Sequence, residues 1–266
     1  MIDEILSFGP AFLLIAVRAL AMIETAPLIS SDSVPQVAKL ALAGFIAYIV
    51  FPTALVSTWD LSAYGLMFVL LIIGEALIGI IMGFYIYAIF SAFTTAGQFF
   101  SLQMGFGASE TFDPLAQIEN PLIGQFLNLV AMLVFITMGG FRELFLKGFL
   151  RSVQTINIVS LVEGRETVIN VLLNGLSQLF LDAIIISMPI LGTLFLTSLA
   201  TGLISKAAPQ INILSEGFPI SITTAFLLLF ATMPFMVELF TQMINNGFGV
   251  LENLFIYIGV PIEEAG

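Results

Sequence analysis

The 266-residue chain contains no cysteine and no histidine. These absences exclude disulfides, zinc centres built from Cys or His, and catalysis by a thiol or an imidazole. Any group that carries a proton must therefore be a carboxylate or a tyrosine. Charge is also scarce, because 9% of the residues are charged whereas an ordinary globular domain has about 25%. There are 7 basic and 18 acidic residues, which argues against a nucleic-acid partner because phosphate contacts need clustered Lys and Arg.

Apolar residues make up 59% of the chain, and the mean hydropathy is +1.10. A soluble fold of this length could not bury so much apolar surface, so the class is integral membrane protein. The apolar runs are continuous rather than alternating, which predicts an all-α, membrane-associated fold of long bent helices and helical hairpins. Six segments can be drawn, at 10–31, 37–57, 62–102, 121–140, 168–204 and 220–240.

The third and fifth of these segments exceed the roughly 20 residues that a spanning helix needs. We expect each to bend into a hairpin or to project beyond the bilayer, and Pro189 is a candidate break in the fifth. The connection 141–167 holds four of the basic residues, which places it on the cytoplasmic side. Its apolar and charged residues repeat at helical spacing, which predicts a basic amphipathic helix at that membrane surface.

Arg18, Glu24, Glu75 and Asp182 lie well within the apolar segments. A charge in hydrocarbon costs roughly 2.5–3.5 kcal/mol on insertion scales. Arg18 and Glu24 are six residues apart, about 240° around a helix, so they cannot pair with each other on one helix. Each charge is expected to find a partner on another helix or another subunit; the alternative is a transport role.

A glycine motif lies in the third segment. Gly79 and Gly83 form a small-xxx-small pair, which lets helix backbones approach closely, and Glu75 lies on the same face. Polar residues continue this stripe as far as Gln98. The stripe predicts either a tight helix interface with a hydrogen-bonded Glu75 or the wall of a water-filled path.

Two stretches are irregular. The polar connection 97–121 contains a flexible Gly105-Phe106-Gly107 turn and the helix-start signal Asp113-Pro114. It is either a solvent-exposed loop or an inward loop that closes a pore, with Met104 and Phe106 as apolar stoppers. In the second stretch, 202–222, Pro209 and Pro219 argue against a continuous helix.

Together these motifs resemble the FliR family, the flagellar type III export-gate subunits called SctT in injectisomes. The resemblance covers almost the whole chain. It rests on GEALIGIIMGF at 74–84, AGQFFSLQMGFG at 96–107, Asp113-Pro114, GQFLNLVAMLVFITMGG at 124–140 and APQINILSEGFP at 208–219.

The resemblance implies a non-enzymatic subunit without cofactors, located in the bacterial inner membrane at the flagellar basal body. Members join FliP and FliQ in a helical gate, with FlhA and FlhB as further partners, and unfolded flagellar proteins pass through it. Residues 1–165 would correspond to a FliP-like part and residues 166–266 to a FliQ-like part. The competing interpretation is a proton-coupled secondary transporter in which Glu75 or Asp182 carries the proton.

The resemblance also groups the candidate residues. The expected pore and plug residues are Met104 and, in the lumen-facing loop at about 105–121, Gly105, Phe106, Gly107, Phe112, Asp113 and Pro114. The expected packing and buried polar set is Arg18, Glu24, Glu75, Gly79, Gly83, Gln98, Gln125 and Asp182. The expected turn between the last two helices contains Lys206, Pro209, Gln210, Gly217, Phe218 and Pro219. Lys206 stands where an Arg is common in the family, and this change loses bidentate geometry.

Overall fold

The computed structural model describes residues 2–27, 29–31, 34–54, 65–105, 122–156, 158–208 and 213–259. Every regular element within these ranges is helical, which confirms the all-α prediction. The helices are α1 (Ile2–Thr25), α2 (Gln36–Ala54), α3 (Leu66–Met104), α4 (Leu122–Thr137), α5 (Gly140–Glu143), a π-helical segment (Leu144–Leu150), α6 (Arg151–Thr155), α7 (Ile158–Glu163), α8 (Arg165–Ala207) and α9 (Ile213–Gly259).

Four of the described helices are long and apolar enough to cross a membrane: Gln36–Thr53, Leu66–Met104, Arg165–Ala207 and Gly217–Gly259. The helical stretches Leu122–Thr137 and Gly140–Thr155 meet at 69° and would make a fifth span if counted together. Five of the six apolar segments drawn from the sequence correspond to these four helices and the bent pair; α1, which contains most of the first segment, is not among the described helices that pass this test. The chain is an all-helical membrane protein.

The long segments are single helices rather than hairpins. Helix α3 has 39 residues, α8 has 43 and α9 has 47. The predicted breaks at Pro189 and Pro219 were wrong, because these prolines lie inside α8 and α9. A proline removes one backbone hydrogen bond, and in membrane helices nearby hydroxyls and local adjustment compensate.

The amphipathic segment predicted within 141–167 is helical from Gly140 to Thr155, with a π-helical segment in its middle. Phe149 and Val153, two of the apolar residues in this segment, are buried within the protein. Glu143 accepts a 2.9 Å contact from Lys147 and a 3.2 Å contact from Arg142. The location of this amphipathic segment at the cytoplasmic membrane surface stays a prediction.

The chain divides into two compact units. Unit 1 contains Met1–Ala88, Gly139–Leu176 and Ile244–Gly266, and unit 2 contains Ile89–Met138 and Ser177–Met243. In unit 1, α1 packs against α2, and the rings of Phe12 and Phe51 meet edge-on with centroids 6.2 Å apart. Six of the seven basic residues belong to unit 1; unit 2 has only Lys206.

Unit 2 is held together by aromatic rings. Phe240 packs edge-on against Phe93 and Phe90, with centroids 4.4 and 5.3 Å apart, and Phe90 packs against Phe135 at 5.4 Å. Such edge-to-face pairs add about 0.5–1.5 kcal/mol each beyond the apolar area that they bury. Three helices, α3, α4 and α9, are thereby joined by side chains without charge.

Candidate functional site: a buried polar network in unit 1

Arg18 and Glu75 form an ion pair in the core of unit 1. The Arg18 Nε donates to Glu75 Oε2 over 2.5 Å. Arg18 is 0% exposed and Glu75 is 2% exposed. The pair joins α1 to α3 across 57 residues of sequence. This confirms the prediction that Arg18 has its partner on another helix, and it supports the hydrogen-bonded interpretation of Glu75.

The guanidinium of Arg18 has two further acceptors. Its Nη1 donates to the Ser152 hydroxyl and its Nη2 to the Ile156 carbonyl, each over 3.1 Å. The Ile156 carbonyl is available because α6 ends at Thr155 and Ile156 is extended, with φ −117° and ψ 131°; the last carbonyls of a helix lack partners within it. Ser152 in turn donates to the Phe149 carbonyl over 2.7 Å. One arginine thus ties α1, α3 and α6 together.

A second pair connects the first two helices. Lys39 in α2 is 1% exposed, and its Nζ donates to Glu24 Oε2 over 3.0 Å and to the Ser30 carbonyl over 3.1 Å. The Glu24 side chain is 35% exposed and still reaches solvent. The expected partner of Glu24 is therefore found, on the helix that follows.

The two glycines of the motif lie against α1. A methyl group on Gly79 would overlap the Arg18 carbonyl oxygen and lie 2.8 Å from the Ala21 Cβ. A methyl group on Gly83 would overlap the Thr25 hydroxyl and lie 2.9 Å from the Ala26 nitrogen. The close approach that the small-xxx-small spacing predicted is present, and it brings the α3 backbone near enough for Glu75 to meet Arg18.

The other residues of the predicted polar set, Asp182, Gln98 and Gln125, lie in unit 2. Asp182 accepts a 2.8 Å hydrogen bond from Gln178, one turn earlier on α8, and it forms no ion pair among the described residues. Gln98 is partly exposed on α3, and Gln125 is exposed on α4. Asp182 therefore lies where a charge is accommodated by partial exposure rather than by a cation.

The polar loop can be described at its N-terminal end. Met104 is buried, at 1% exposed, and Gly105 ends α3 with φ +95°, a conformation that favours glycine. A methyl group on Gly105 would overlap the Phe218 ring, so this ring covers the point where the loop begins. The remaining predicted plug residues, Phe106, Gly107, Phe112, Asp113 and Pro114, lie outside the described residues.

The predicted turn between the last helices is shorter than expected. Lys206 lies in the last turn of α8, and Gly217, Phe218 and Pro219 lie in the second turn of α9. The prediction that Gly217 makes a tight turn was therefore wrong. Pro209 and Gln210 lie outside the described residues.

Sequence reasoning missed Lys39 and Ser152. Arg18 and Lys39 are the only basic residues before position 142, and Glu24 and Glu75 are acids within the same stretch of apolar segments. Because two bases and two acids lie within these apolar segments, two ion pairs could have been predicted from the sequence. Nothing in the sequence marks Ser152, which is 134 residues from Arg18.

Comparison with known proteins identifies the family. The model of bacterial export proteins, family 1, matches residues 10–247. The flagellar biosynthetic protein FliR of Bacillus subtilis (strain 168) is 30% identical over 261 residues, which cover 97% of this chain and 99% of the relative. The chain belongs to the FliR family.

Two further relatives of the chain are also FliR proteins. The FliR of Escherichia coli (strain K12) is 30% identical over 240 residues, 89% of each chain. The FliR of Aquifex aeolicus (strain VF5) is 23% identical over 237 residues, which cover 88% of this chain and 90% of the relative. The match to the family model contains Arg18, Lys39, Glu75 and Ser152, so the whole buried network lies within the family region.

Proposed function

We propose that the chain builds part of the conduit of the flagellar protein export apparatus, as a non-enzymatic subunit. A subunit of the flagellar export apparatus is the role that FliR-family membership indicates. The observation that carries the proposal is the nearly full-length match to flagellar biosynthetic proteins. The absence of His and Cys agrees with a structural role, since the most versatile catalytic side chains are absent.

The proposed partners are FliP and FliQ in a hetero-oligomeric gate, with FlhA and FlhB nearby and unfolded export substrates in transit. The proposed location is the inner membrane at the flagellar basal body. In this proposal residues 1–165 are the FliP-like part and residues 166–266 the FliQ-like part. The many large apolar side chains exposed on α2, α3, α8 and α9 support an assembly in which lipid or other subunits cover them.

The closing element is proposed to be the polar loop at 105–121. Two features at its start support this proposal: Met104 is held in the core of unit 2, and the Phe218 ring covers Gly105. An anchored loop that carries Phe106 and Phe112 can seal a narrow pore with apolar side chains, which exclude water from a constriction.

The competing transporter hypothesis would make Glu75 or Asp182 a proton carrier. For Glu75 the observed pairing argues against it, because this carboxylate is buried and accepts the Arg18 hydrogen bond that joins α1 to α3.

The proposal is tested by deleting the gene and restoring it with an affinity tag. Deletion should abolish motility and secretion of hook and filament proteins, and the tagged chain should recover both and co-purify with FliP and FliQ. Normal secretion without the chain would refute the role, whereas loss of secretion with no co-purified FliP or FliQ would refute only the partners.

A separate test concerns the loop. Deletion of Gly105–Gly107 should leave the complex assembled and raise the leakage of small ions across the membrane. Unchanged conductance in cells with assembled complexes would refute the sealing role.

A further inference from the structure

Arg151, the first residue of α6, has no carboxylate partner. Its Nε is buried and has no hydrogen-bond acceptor, and within the described part of the chain Arg151 forms no ion pair. An arginine side chain is always charged, and a buried donor without an acceptor is costly. The residue as a whole is partly exposed, so a group from outside the described residues can reach it.

The acid on the same helical segment is already occupied. Residues 140–155 contain three bases and a single acid, Glu143. This carboxylate accepts a 2.9 Å contact from Lys147 and a 3.2 Å contact from Arg142. Lys147, four residues before Arg151, adds a like charge on the same side of the segment. Arg151 therefore requires a carboxylate from another part of the chain or from another chain.

The last helix ends beside this arginine. A methyl group on Gly259, the last residue of α9, would overlap the Thr155 carbonyl oxygen and lie 2.9 Å from the Thr155 Cβ. Thr155 lies one turn after Arg151, about 6 Å along the helix axis, and its hydroxyl donates to the Arg151 carbonyl over 2.8 Å. All three residues belong to unit 1. The chain that follows α9 therefore starts about one helical turn from Arg151.

The residues that follow α9 carry the missing charge. Residues 260–266, VPIEEAG, contain two acids, Glu263 and Glu264, and no base; they lie outside the described residues. Pro261 disfavours continuation of the helix. Glu263 is four residues after Gly259, so in extended chain its Cα can lie up to about 13 Å from the end of α9. This reach exceeds the distance of one helical turn that separates Thr155 from Arg151.

We propose that the acidic tail, residues 260–266, binds Arg151 through the carboxylate of Glu263 or Glu264. A guanidinium takes a carboxylate through two parallel charge-assisted hydrogen bonds, which supplies the acceptor that the buried Nε lacks. The contact holds the end of α9 against α6 and so fastens the last helix to the preceding part of unit 1. The proposal does not depend on the proposed conduit.

Arg165 is another arginine near the end of α9. It follows Gly164, where a methyl group would lie 3.0 Å from the Ile258 side chain. Arg165 is exposed, so water can satisfy its guanidinium. The buried Nε without an acceptor distinguishes Arg151 from it. Arg165 is therefore the matched control for a basic residue that merely lies near the tail.

The first test is zero-length cross-linking of the full chain in native membranes. A carbodiimide joins a lysine amine to a touching carboxylate as an amide, and the reagent takes up the water that is lost. The variant Arg151→Lys keeps the charge and supplies the amine. Peptide mass spectrometry should find position 151 joined to Glu263 or Glu264, and adding Glu263→Gln and Glu264→Gln should remove this link. The contact of Lys147 with Glu143, at 2.9 Å, is the internal control for the reaction.

Three results of the cross-linking would overturn the proposal. The first is a link from position 151 to a carboxylate of another protein, which would show that a partner occupies the site. The second is a link to a different acid of this chain. The third is no link at position 151 in samples in which Lys147 and Glu143 are joined.

A second measurement does not require the cross-link. An epitope tag after Gly266 reports cleavage by a glutamate-specific protease at Glu263 and Glu264. Arg151→Gln should release the tag faster than the unsubstituted chain does, whereas Arg151→Lys and Arg165→Gln should not. Equal release in Arg151→Gln and the unsubstituted chain would overturn the proposal. Faster release in Arg165→Gln alone would assign the tail to that arginine, and equally fast release in Arg151→Lys and Arg151→Gln would show that charge does not hold the tail.

Discussion

The two units of the chain differ in where their charged side chains lie and in which partners these side chains have. Unit 1 contains six of the seven basic residues and buries two of them, Arg18 and Lys39, against carboxylates of other helices. Unit 2 has a single base, Lys206. Among the described residues, its carboxylates Asp182 and Glu238 each accept only from a glutamine one turn away. The buried charges of unit 1 therefore join helices, whereas the charges within α8 and α9 of unit 2 interrupt apolar runs at particular points.

This difference has a physical basis. A buried ion pair is weak evidence for net stability, since desolvation of both charges offsets their attraction, but removal of one partner is strongly destabilising. Such a pair fixes which helices can meet. An isolated charge at a helix position that reaches water requires no partner and fixes only how deep the helix can sit in a bilayer.

The largest effect is expected from removing one member of the buried pair. Arg18→Met and Glu75→Leu should each lower the free energy of unfolding by about 3–5 kcal/mol, because each leaves an unpaired buried charge. Arg18→Met also removes the donors to Ser152 and Ile156. The measurements are the yield of tagged chain in solubilised complexes and their thermal midpoint. The double variant should recover much of the loss; a double variant as unstable as the worse single one would contradict a role based on pairing.

The next largest effect concerns glycine packing. Gly79→Ala should cost about 1–3 kcal/mol by overpacking against the α1 backbone. The matched control is Gly192→Ala on α8 of unit 2, where a new Cβ meets nothing within 4 Å; there, alanine should be neutral or stabilising by up to about 1 kcal/mol because of helix propensity. Thermal midpoints of the two complexes provide the comparison. Equal destabilisation by both substitutions would refute the close α1–α3 contact.

Part of this architecture could be predicted from the sequence and part could not. Charges at Arg18 and Glu24 within apolar runs, on different faces of one helix, already required partners elsewhere. The identity of those partners depends on contacts between residues 15 to 138 positions apart, which no local pattern encodes. Gly79 and Gly83 were predictable because the spacing of small residues is a local signal.

At the prolines, by contrast, a local sequence rule made a prediction that the structure contradicts. Local propensity predicted helix breaks at Pro189 and Pro219, yet both lie within helices of more than 40 residues. The cost of one lost backbone hydrogen bond is small beside the cost of exposing several unpaired backbone groups in an apolar medium. Tertiary and membrane context therefore overrode the local rule, and Gly217 was misassigned to a turn for the same reason.

A smaller effect is expected at the second pair of unit 1. Lys39→Met should cost about 1–2 kcal/mol, since it removes hydrogen bonds to Glu24 and to the Ser30 carbonyl. The loss should be less than for Arg18→Met because Glu24 is 35% exposed and water can replace the lost cation. Denaturation of the two variants in the same detergent tests this order. A loss at Lys39 greater than at Arg18 would show that solvent exposure does not set the cost.

The smallest effect is expected at Asp182 in unit 2. Asp182→Asn should change the free energy of unfolding by no more than about 0.5 kcal/mol, because the half-buried side chain forms no ion pair among the described residues and asparagine can still accept from Gln178. Export should also be retained. Thermal midpoints and secreted filament protein are the measurements, with Glu166→Gln, an exposed acid in the first turn of the same helix, as the matched control. Intact complexes that no longer export in Asp182→Asn alone would mean that this carboxylate carries protons, and unit 2 would then hold its charge for chemistry rather than for position.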